Sequence, residues 1–356
     1  MKATRCEHMR RWSSVATLTA SRWGAKQPTW ATNTAQQVVR MHKAAKNVGS
    51  IQNTPHLKRK LGQHLLVTES ILSDTVNAAN LPRLLAENAA ASDSARAGQA
   101  RVRVLEIGPG TGNLTSALLN AMASVHVHAV EYDPRMVERL HERFADVRDR
   151  FTLENLDFEA FEFPKHDHEA HLHFDACVAN IPYQLSSLII ARLSSYMFRY
   201  PERFRCAVLL VQEEFAQRLL ARPGDQNYTR LSVNTALVAS VSSVVPVGKH
   251  HFLPPPKVDS RVIKLEPLAA QVATDDPLFF QRFDTLLRIV FLRKNKTLRA
   301  LLVSKTAQEV MELQGPDTLS AAERNEVVKN AVANALDECA LTSSRAVKVP
   351  VDTFVK

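Results

Sequence analysis

The sequence predicts an α/β fold with a doubly wound parallel sheet, followed by a small helical domain. Three observations predict it. An apolar run passes through a glycine turn into a helical pattern at Val102–Asn113. A second apolar segment, Val125–Asp133, ends in acidic residues, and the pattern becomes helical after Pro267. Strand patterns that alternate with helical patterns are typical of βαβ units, whose strands run parallel.

The length and the cysteine content limit the class of protein. A chain of 356 residues can hold two domains, or one domain with extensions. No apolar run is long enough to span a bilayer as a helix. The four cysteines lack any C-x-x-C spacing, which argues against a zinc site or a disulfide framework: Cys6, Cys177, Cys206 and Cys339. We therefore predict no bound metal and a reducing compartment.

The formal charge of +9 is concentrated at the N-terminus. Residues 1–60 contain twelve basic residues and one acid, whereas the rest of the chain has 33 basic and 35 acidic residues. Residues 1–57 are also rich in Ser, Thr, Ala and Arg. This composition is typical of a mitochondrial presequence, and equally of a basic arm that binds nucleic acid or directs nuclear import. An RNA-binding surface elsewhere must come from clustered charge rather than from net charge.

Two segments precede the first predicted strand of the sheet. Lys58–Leu66 joins a basic run to Gly-Gln-His and then to an amphipathic pattern, which predicts a turn entering a helix. Leu84–Ala100 is rich in Ala and Ser and shows no apolar period, so it predicts a surface insertion.

The segment Val102–Asn113 has the pattern of a strand, a tight turn and a helix. Its turn contains three alternating glycines: Gly108, Gly110 and Gly112. Without Cβ atoms, the backbone of such a turn can approach a ligand closely. Asn113 stands where the dinucleotide fingerprint requires its last glycine. The pattern E-x-G-x-G-x-G, which begins at Glu106, instead resembles motif I of S-adenosylmethionine-dependent methyltransferases, whose loop holds the methionine part of the cofactor. The competing interpretation is a purely structural turn.

Acidic residues follow the next two predicted strands. Glu131 ends the strand Val125–Val130, where its carboxylate could accept hydrogen bonds from both ribose hydroxyls of an adenosine moiety. Asp133 precedes a proline and suits the N-cap of the helix Pro134–Phe144, which leaves Glu131 for a ligand. Asp157 ends a weaker strand, Phe151–Phe158. It is a candidate partner for the adenine amino group, or a turn residue.

A histidine-rich segment, Lys165–Phe174, invites a metal hypothesis. It contains four histidines: His166, His168, His171 and His173. No cysteine lies within this segment, and the two acids between the histidines follow no spacing typical of metal ligands. We predict a solvated loop insertion here.

The strand that begins at Phe174 ends in Asn180-Ile181-Pro182-Tyr183, which suggests methyl transfer to an exocyclic amine. The N6 lone pair of adenine is delocalised into the ring and is a poor nucleophile. The Asn180 carbonyl and the backbone carbonyl before Pro182 could accept both N6 hydrogens and free that lone pair. Tyr183 could stack on the base, which contributes about 1–3 kcal/mol. What remains is positioning, with no strong general base needed before attack. Taken alone, the motif could be an ordinary turn.

With these motifs in this order, the chain resembles the ribosomal RNA adenine N6,N6-dimethyltransferases over roughly Leu61–Leu301, and their eukaryotic branch more than the bacterial one. The matching segments are Gly62–Leu66, Leu105–Asn113, Val130–Arg135, Asn180–Ser187, Phe252–Ser260 and Phe291–Leu298. The last of these resembles the eukaryotic branch, as do Arg203–Leu219 and Pro223–Asp225. The resemblance implies a Rossmann-like class I methyltransferase fold.

The resemblance also implies roles for individual residues. S-adenosylmethionine would be bound by nine of them: Gln63, Leu65, Glu106, Gly108, Gly110, Gly112, Glu131, Asp157 and Asn180. The target adenine would meet Asn180, Pro182 and Tyr183, with Phe252 packed on the flipped-out base. Leu156 stands where the family usually has glycine, which is a local departure from its pattern.

We expect three parts: a basic extension over residues 1–57, a catalytic domain over 58–267 and a helical domain over 268–356. The helical part contains a basic cluster that could contact phosphate or form a solvated face: Arg293, Lys294, Lys296 and Arg299.

The activity implied by the resemblance is dimethylation of two adjacent adenines near the 3′ end of small-subunit ribosomal RNA. The implied partner is the pre-ribosomal small subunit, with a role in its biogenesis and a monomer outside the particle. We expect the nucleus, specifically the nucleolus, and hold a mitochondrial enzyme as the competing assignment.

Three further classes of protein compete with this activity. The first is a DNA adenine methyltransferase. The second is a non-catalytic assembly factor or mitochondrial transcription-factor-like binder of the same fold, and the third is a pure RNA-binding module. The intact set of Glu106, Glu131 and Asn180–Tyr183 favours catalysis.

Overall fold

The computed structural model describes residues 64–91, 100–164, 173–270, 278–305 and 320–355, together with positions 272, 274, 276 and 307. All of these residues belong to one compact unit, Leu57–Lys356. The extension 1–57, with Cys6, lies outside the described residues, as do Gln63 and the histidines at 166, 168 and 171.

Seven strands form the central sheet. They are β2 (Val102–Ile107), β3 (Val125–Glu131), β4 (Phe151–Asn155), β5 (Ala176–Asn180), β6 (Cys206–Gln212), β7 (Ala239–Val247) and β9 (Ser260–Pro267), in the order β4-β3-β2-β5-β6-β9-β7. Strands β2 to β6 pair in parallel, and β9 pairs antiparallel with both β6 and β7. The strand order reverses direction at β2, between β3 and β5. In open α/β sheets, a ligand crevice forms at such a reversal, outside the carboxyl ends of the strands.

Alternation along the strands explains why both faces of the sheet are covered. In β6, Ala207, Leu209 and Val211 belong to one apolar cluster, whereas Cys206, Val208 and Leu210 belong to another. Because successive side chains of a strand point to opposite faces, a strand that is apolar at every position needs helices on both sides.

Helices cover each face as this pattern requires. One face carries α1 (Glu69–Ala78), α2 (Leu81–Ala91), α3 (Asn113–Ala121) and α4 (Pro134–Arg143); the other carries α5 (Ser186–Arg199), α6 (Glu213–Leu220) and α7 (Arg230–Ala236). The predicted N-cap Asp133 accepts a hydrogen bond from the Arg135 N–H at 3.2 Å. The doubly wound, Rossmann-like class predicted from the sequence is confirmed. Among the described helices, none combines the length and apolar character that crossing a membrane requires.

The regular elements that the structure describes after Pro267 are all helices, among them α8 (Phe279–Val290), α9 (Leu298–Leu302), α10 (Ala321–Glu338) and α11 (Val351–Val355). Leu287 of α8 and Leu301 of α9 belong to the same apolar cluster as Leu209 in the sheet. The apolar core is therefore continuous from the sheet into these helices, and the division at residue 267 stays a prediction.

Two local predictions are wrong. Leu84–Ala91 is helical rather than an insertion, because α2 contacts the core mainly through Leu81 and Leu84 and its remaining alanines give no apolar period. Leu65–Leu66 forms a two-residue strand, β1, rather than the entry to a helix. It pairs antiparallel with β8 (Phe252–Leu253), a partner that no local pattern indicates.

Candidate active site

A cavity of about 340 Å³ opens at the carboxyl ends of β2, β3 and β5. It brings together most of the residues singled out from the sequence: Leu65, Glu106, Gly108, Gly110, Glu131, Asp157, Asn180, Pro182 and Tyr183. Gly112 and Phe252 are not among its lining residues, and Gln63 lies outside the described residues. The lining residues without a predicted role include His64, Leu66, Tyr132 and Phe158.

The glycine turn after β2 has backbone conformations that only glycine adopts readily. Gly108, Gly110 and Gly112 have φ angles of +67°, +58° and +82°. The Gly108 N–H donates to the Val130 carbonyl at 2.9 Å, which fixes the turn against β3. A Cβ on Gly110 would lie 3.0 Å from a methyl carbon of Leu65. The turn therefore lies closely against both β3 and β1.

Gly112 serves packing rather than the cavity. A Cβ built on it would lie 2.6 Å from Cε2 of Phe144 and 2.9 Å from Cδ2 of Leu140. Gly224 has a similarly unusual φ of +97°, but open space surrounds it. Substitution of Gly224 therefore measures the cost of backbone strain alone, whereas substitution of Gly112 measures the cost of strain together with steric overlap.

We expect Gly112→Ala to lower the free energy of unfolding by about 2 kcal/mol, because left-handed strain and overlap with α4 add. Gly224→Ala should lose only the strain contribution, about 1 kcal/mol. Urea unfolding of both variants measures the difference. Equal losses would show that Phe144 and Leu140 move aside at no cost.

Glu131, at the end of β3, is oriented by backbone donors. Its Oε1 accepts the Asp133 N–H at 2.8 Å, and its Oε2 accepts the Gly110 N–H at 3.1 Å. Burial raises the pKa of Glu131, while these two hydrogen bonds act in the opposite direction. The Glu131 carboxylate is therefore held at the cavity wall, hydrogen-bonded to the glycine turn.

Glu106 is the buried carboxyl group within β2, and it also lines the cavity. Thr115 donates a hydrogen bond to its Oε2 at 2.7 Å. Burial nevertheless raises the pKa of Glu106 from 4.5 to about 8. The group is therefore mostly protonated at neutral pH, and a cationic ligand nearby would favour its charged form.

This pKa gives a pH-dependent prediction. Between pH 4.5 and about 8, the folded state binds a proton at Glu106 that the unfolded state has lost. The free energy of unfolding therefore falls as pH rises through this window. Glu106→Gln removes this contribution, so its stability relative to the wild type should rise across the window by up to about 1.4 kcal/mol per pH unit and level off above it.

Urea unfolding at intervals from pH 5 to 9 tests this prediction. The matched control is Glu154→Gln, which removes a half-exposed carboxylate that the cavity does not contain. Parallel pH profiles for the wild type and Glu106→Gln would contradict it.

Asn180 lies at the end of β5, and its amide is oriented by the chain just before β1. Its Nδ2 donates to the His64 carbonyl at 3.1 Å. Because the donor end of the amide faces His64, its carbonyl end is left to accept a hydrogen bond from a ligand. Pro182, with φ −60° and ψ 125°, then begins the turn that presents Tyr183.

The segment at β1 contacts both halves of the cavity. Besides the bond from Asn180 to His64, the Leu66 carbonyl accepts from Asn113 Nδ2 at 3.0 Å, on the helix that follows the glycine turn. Arg143 donates to the Thr111 carbonyl and to Asn113 Oδ1, the latter at 3.1 Å. In an extended strand, alternate side chains lie on the same side, so a strand at this position would place His64 and Leu66 together. The amphipathic pattern of the sequence instead predicts the entry to a helix, so this pair could not be predicted from it.

Asp157 combines the two interpretations considered for it. It lines the cavity, and its Oδ1 accepts the Glu159 N–H at 2.9 Å, as a turn residue does. Leu156, the local departure noted in the sequence, lines the cavity beside it.

Phe252 is placed away from the position implied for it. Its side chain is 2% exposed, and it packs in the apolar cluster with Leu66, its partner residue in β1. Contact with a flipped base would require this side chain to leave the cluster, because the two-residue pairing of β1 with β8 turns it toward the core.

Within the part of the chain that the structure describes, no group of three or more His, Cys, Asp or Glu side chains is arranged to hold a metal ion. The buried cysteines Cys177 and Cys206 are free thiols.

Comparison with known proteins gives consistent matches. The family model for ribosomal RNA adenine dimethylase matches residues 55–343. A probable dimethyladenosine transferase of Drosophila melanogaster is 35% identical over 331 residues, which cover 91% of this chain and 94% of that protein. A mitochondrial ribosomal RNA small subunit methyltransferase of Arabidopsis thaliana is 41% identical over 260 residues; the match covers 72% of this chain but 59% of that protein.

The fold matches a solved structure of similar description. The crystal structure of a dimethyladenosine transferase from Plasmodium falciparum superposes with a TM-score of 0.62 at 30% identity, covering 82% of this chain and 95% of that one.

Proposed function

Because this chain belongs to the ribosomal RNA adenine dimethylase family, we propose that it uses S-adenosylmethionine to dimethylate N6 of two adjacent adenines near the 3′ end of small-subunit ribosomal RNA. One observation carries the proposal. One wall of a single cavity, at the ends of β2 and β3, contains the glycine turn and Glu131, whose carboxylate would bind ribose. The other wall, at the end of β5, contains Asn180-Ile181-Pro182-Tyr183. A donor and an adenine bound there would be neighbours.

The residues present suit the cofactor. Glu131 is already oriented to accept hydrogen bonds from ribose hydroxyls, and Gly108 and Gly110 line the same cavity. Asp157 lines the same cavity as Glu131, where it would meet the adenine end of such a ligand. When bound, S-adenosylmethionine supplies a methyl group that is already activated by its attachment to a sulfonium.

The other wall suits an adenine. The Asn180 Oδ1 and the Ile181 backbone carbonyl would accept the N6 hydrogens, and the Tyr183 ring would stack on the base. Such a base must be unstacked from its own strand, which favours a single-stranded or loop adenine in RNA. N6 would take the methyl group as the sulfur–methyl bond breaks and leaves its electron pair on sulfur, and the methylated N6 would then give up its proton to solvent.

We propose that the basic cluster after α8, at Arg293–Arg299, contacts RNA phosphates, and that the protein acts as a monomer in a nucleolar stage of small-subunit biogenesis. Arg293, Lys294 and Lys296 lie in an exposed loop between α8 and α9, and Arg299 follows in α9.

Imaging of a fusion that carries residues 1–57 alone decides between nuclear and mitochondrial targeting. Accumulation in mitochondria would overturn the nucleolar assignment and leave the reaction unaffected.

The reaction is tested with purified protein, labelled S-adenosylmethionine and small ribosomal subunits that lack dimethyladenosine. Mass spectrometry of the digested RNA should show dimethyladenosine at two adjacent positions, and calorimetry should show cofactor binding. Duplex DNA serves as the competing substrate. Transfer to DNA alone would indicate a DNA adenine methyltransferase, and cofactor binding without any transfer would indicate a non-catalytic assembly factor.

A further inference from the structure

The Tyr183 hydroxyl is not free in the cavity. It lies 2.7 Å from Ser260 Oγ, at hydrogen-bonding distance, and burial raises the pKa of Tyr183. The ring therefore bears an anchored hydroxyl at one end, and Tyr183 lines the cavity.

Ser260 is a rigid anchor. It is fully buried and begins β9, where it pairs with Gln212 of β6 on one side and with Val247 of β7 on the other. Tyr183 lies instead in a short 3₁₀ turn after Pro182. The hydrogen bond therefore ties the Tyr183 ring, which lies in a connecting turn, to a strand whose position is fixed within the sheet.

A second contact reaches the ring from the residue before β1. The His64 ring lies roughly parallel to that of Tyr183, with centroids 6.1 Å apart and planes inclined by 24°. His64 Nδ1 lies 2.9 Å from the Pro254 carbonyl. Because a carbonyl only accepts, this nitrogen carries the hydrogen. Ser260 therefore contacts Tyr183 directly, whereas Pro254 orients the His64 ring that lies beside Tyr183.

We propose that Ser260 is a positioning residue for the target adenine, which fixes the plane of Tyr183 on which the base stacks. The inference rests on the proposed function. Stacking depends on the offset and tilt of the two rings, and a small misplacement of a reactant lowers the rate far more than it lowers binding. A ring freed to rotate about its side-chain bonds would still offer apolar area, but would hold N6 in line less often.

A double-mutant cycle tests this role. Ser260→Ala and Tyr183→Phe each remove one partner of the hydrogen bond and retain the aromatic ring. We expect each to lower kcat on small ribosomal subunits about tenfold, and the double variant to lower it by the same factor, because both changes remove one interaction. The dissociation constant for S-adenosylmethionine, from calorimetry, should stay within about twofold of the wild-type value.

The matched control is Ser232→Ala. Ser232 is also buried, and its Oγ donates to the Arg218 carbonyl at 2.5 Å, but it does not line the cavity. Its loss should cost stability comparably and leave kcat unchanged. An unchanged kcat for Ser260→Ala, or independent additive losses in the cycle, would overturn the role of Ser260. An inactive wild type would overturn the proposed function and this role together.

Discussion

Replacing Asn180 by alanine should reduce dimethyladenosine formation on the order of 1000-fold, as expected when a polar group that acts on the transition state is removed. The side chain would accept one of the two N6 hydrogens, and its amide is already oriented by donation to the His64 carbonyl. The rate is measured in single turnover with saturating enzyme and small ribosomal subunits, so that weakened binding does not enter it.

The control is Asn234→Ala, which removes a half-buried amide bonded to Asp284 at 2.8 Å and away from the cavity. It should retain the wild-type rate. Because Asn180 also secures the chain at β1, cofactor affinity is measured in parallel, and we expect a smaller change there than in the rate. A normal rate for Asn180→Ala would show that the target amine of adenine does not bind at the Asn180 side of the cavity.

Replacing Glu131 by alanine should weaken S-adenosylmethionine binding about 100-fold. Hydrogen bonds to a charged group contribute about 1.5–3 kcal/mol, and about 1.4 kcal/mol corresponds to tenfold. The variant loses the acceptor for ribose hydroxyls. It also leaves the Gly110 and Asp133 N–H groups without the carboxylate that holds the turn. Calorimetry with S-adenosylmethionine and with its demethylated product measures both affinities, which should fall together because ribose is common to the two.

Glu154→Ala is the matched change on the neighbouring strand, since Glu154 pairs with His128 and does not line the cavity. Its cofactor affinity should equal that of the wild type. If Glu131→Ala binds the cofactor normally, the ribose lies elsewhere and the orientation assigned to the cavity is wrong.

The first wall of the cavity could be predicted from the sequence because its parts are local. The glycines, Glu106 and Glu131 each follow or lie within a recognisable strand, and parallel strands bring their carboxyl ends to one edge. Asn180 follows the same logic. The chain's similarity to a known family adds roles to these residues, but strand patterns alone indicate where they meet.

The pairing of β1 could not be predicted in this way. Two residues give no periodicity, and the partner strand lies far along the chain. The contacts of His64 with Asn180, Tyr183 and Pro254 are consequently visible only in three dimensions. The same pairing buries Phe252, which the motif alone would place against the base. Ser260 is likewise only the last residue of a motif, because nothing in the sequence indicates which strand meets the Tyr183 hydroxyl.

The pairing of β1 with β8 has a consequence for how the enzyme is made. His64 and Pro254 are 190 positions apart, so the contact between them forms only when a long loop closes. A nascent polypeptide released only as far as β6 would hold the glycine turn and Glu131, yet lack the segment that β1 pairs with. The complete cavity, with His64 and Leu65 held in place by β8, therefore forms only after most of the sheet has been synthesised.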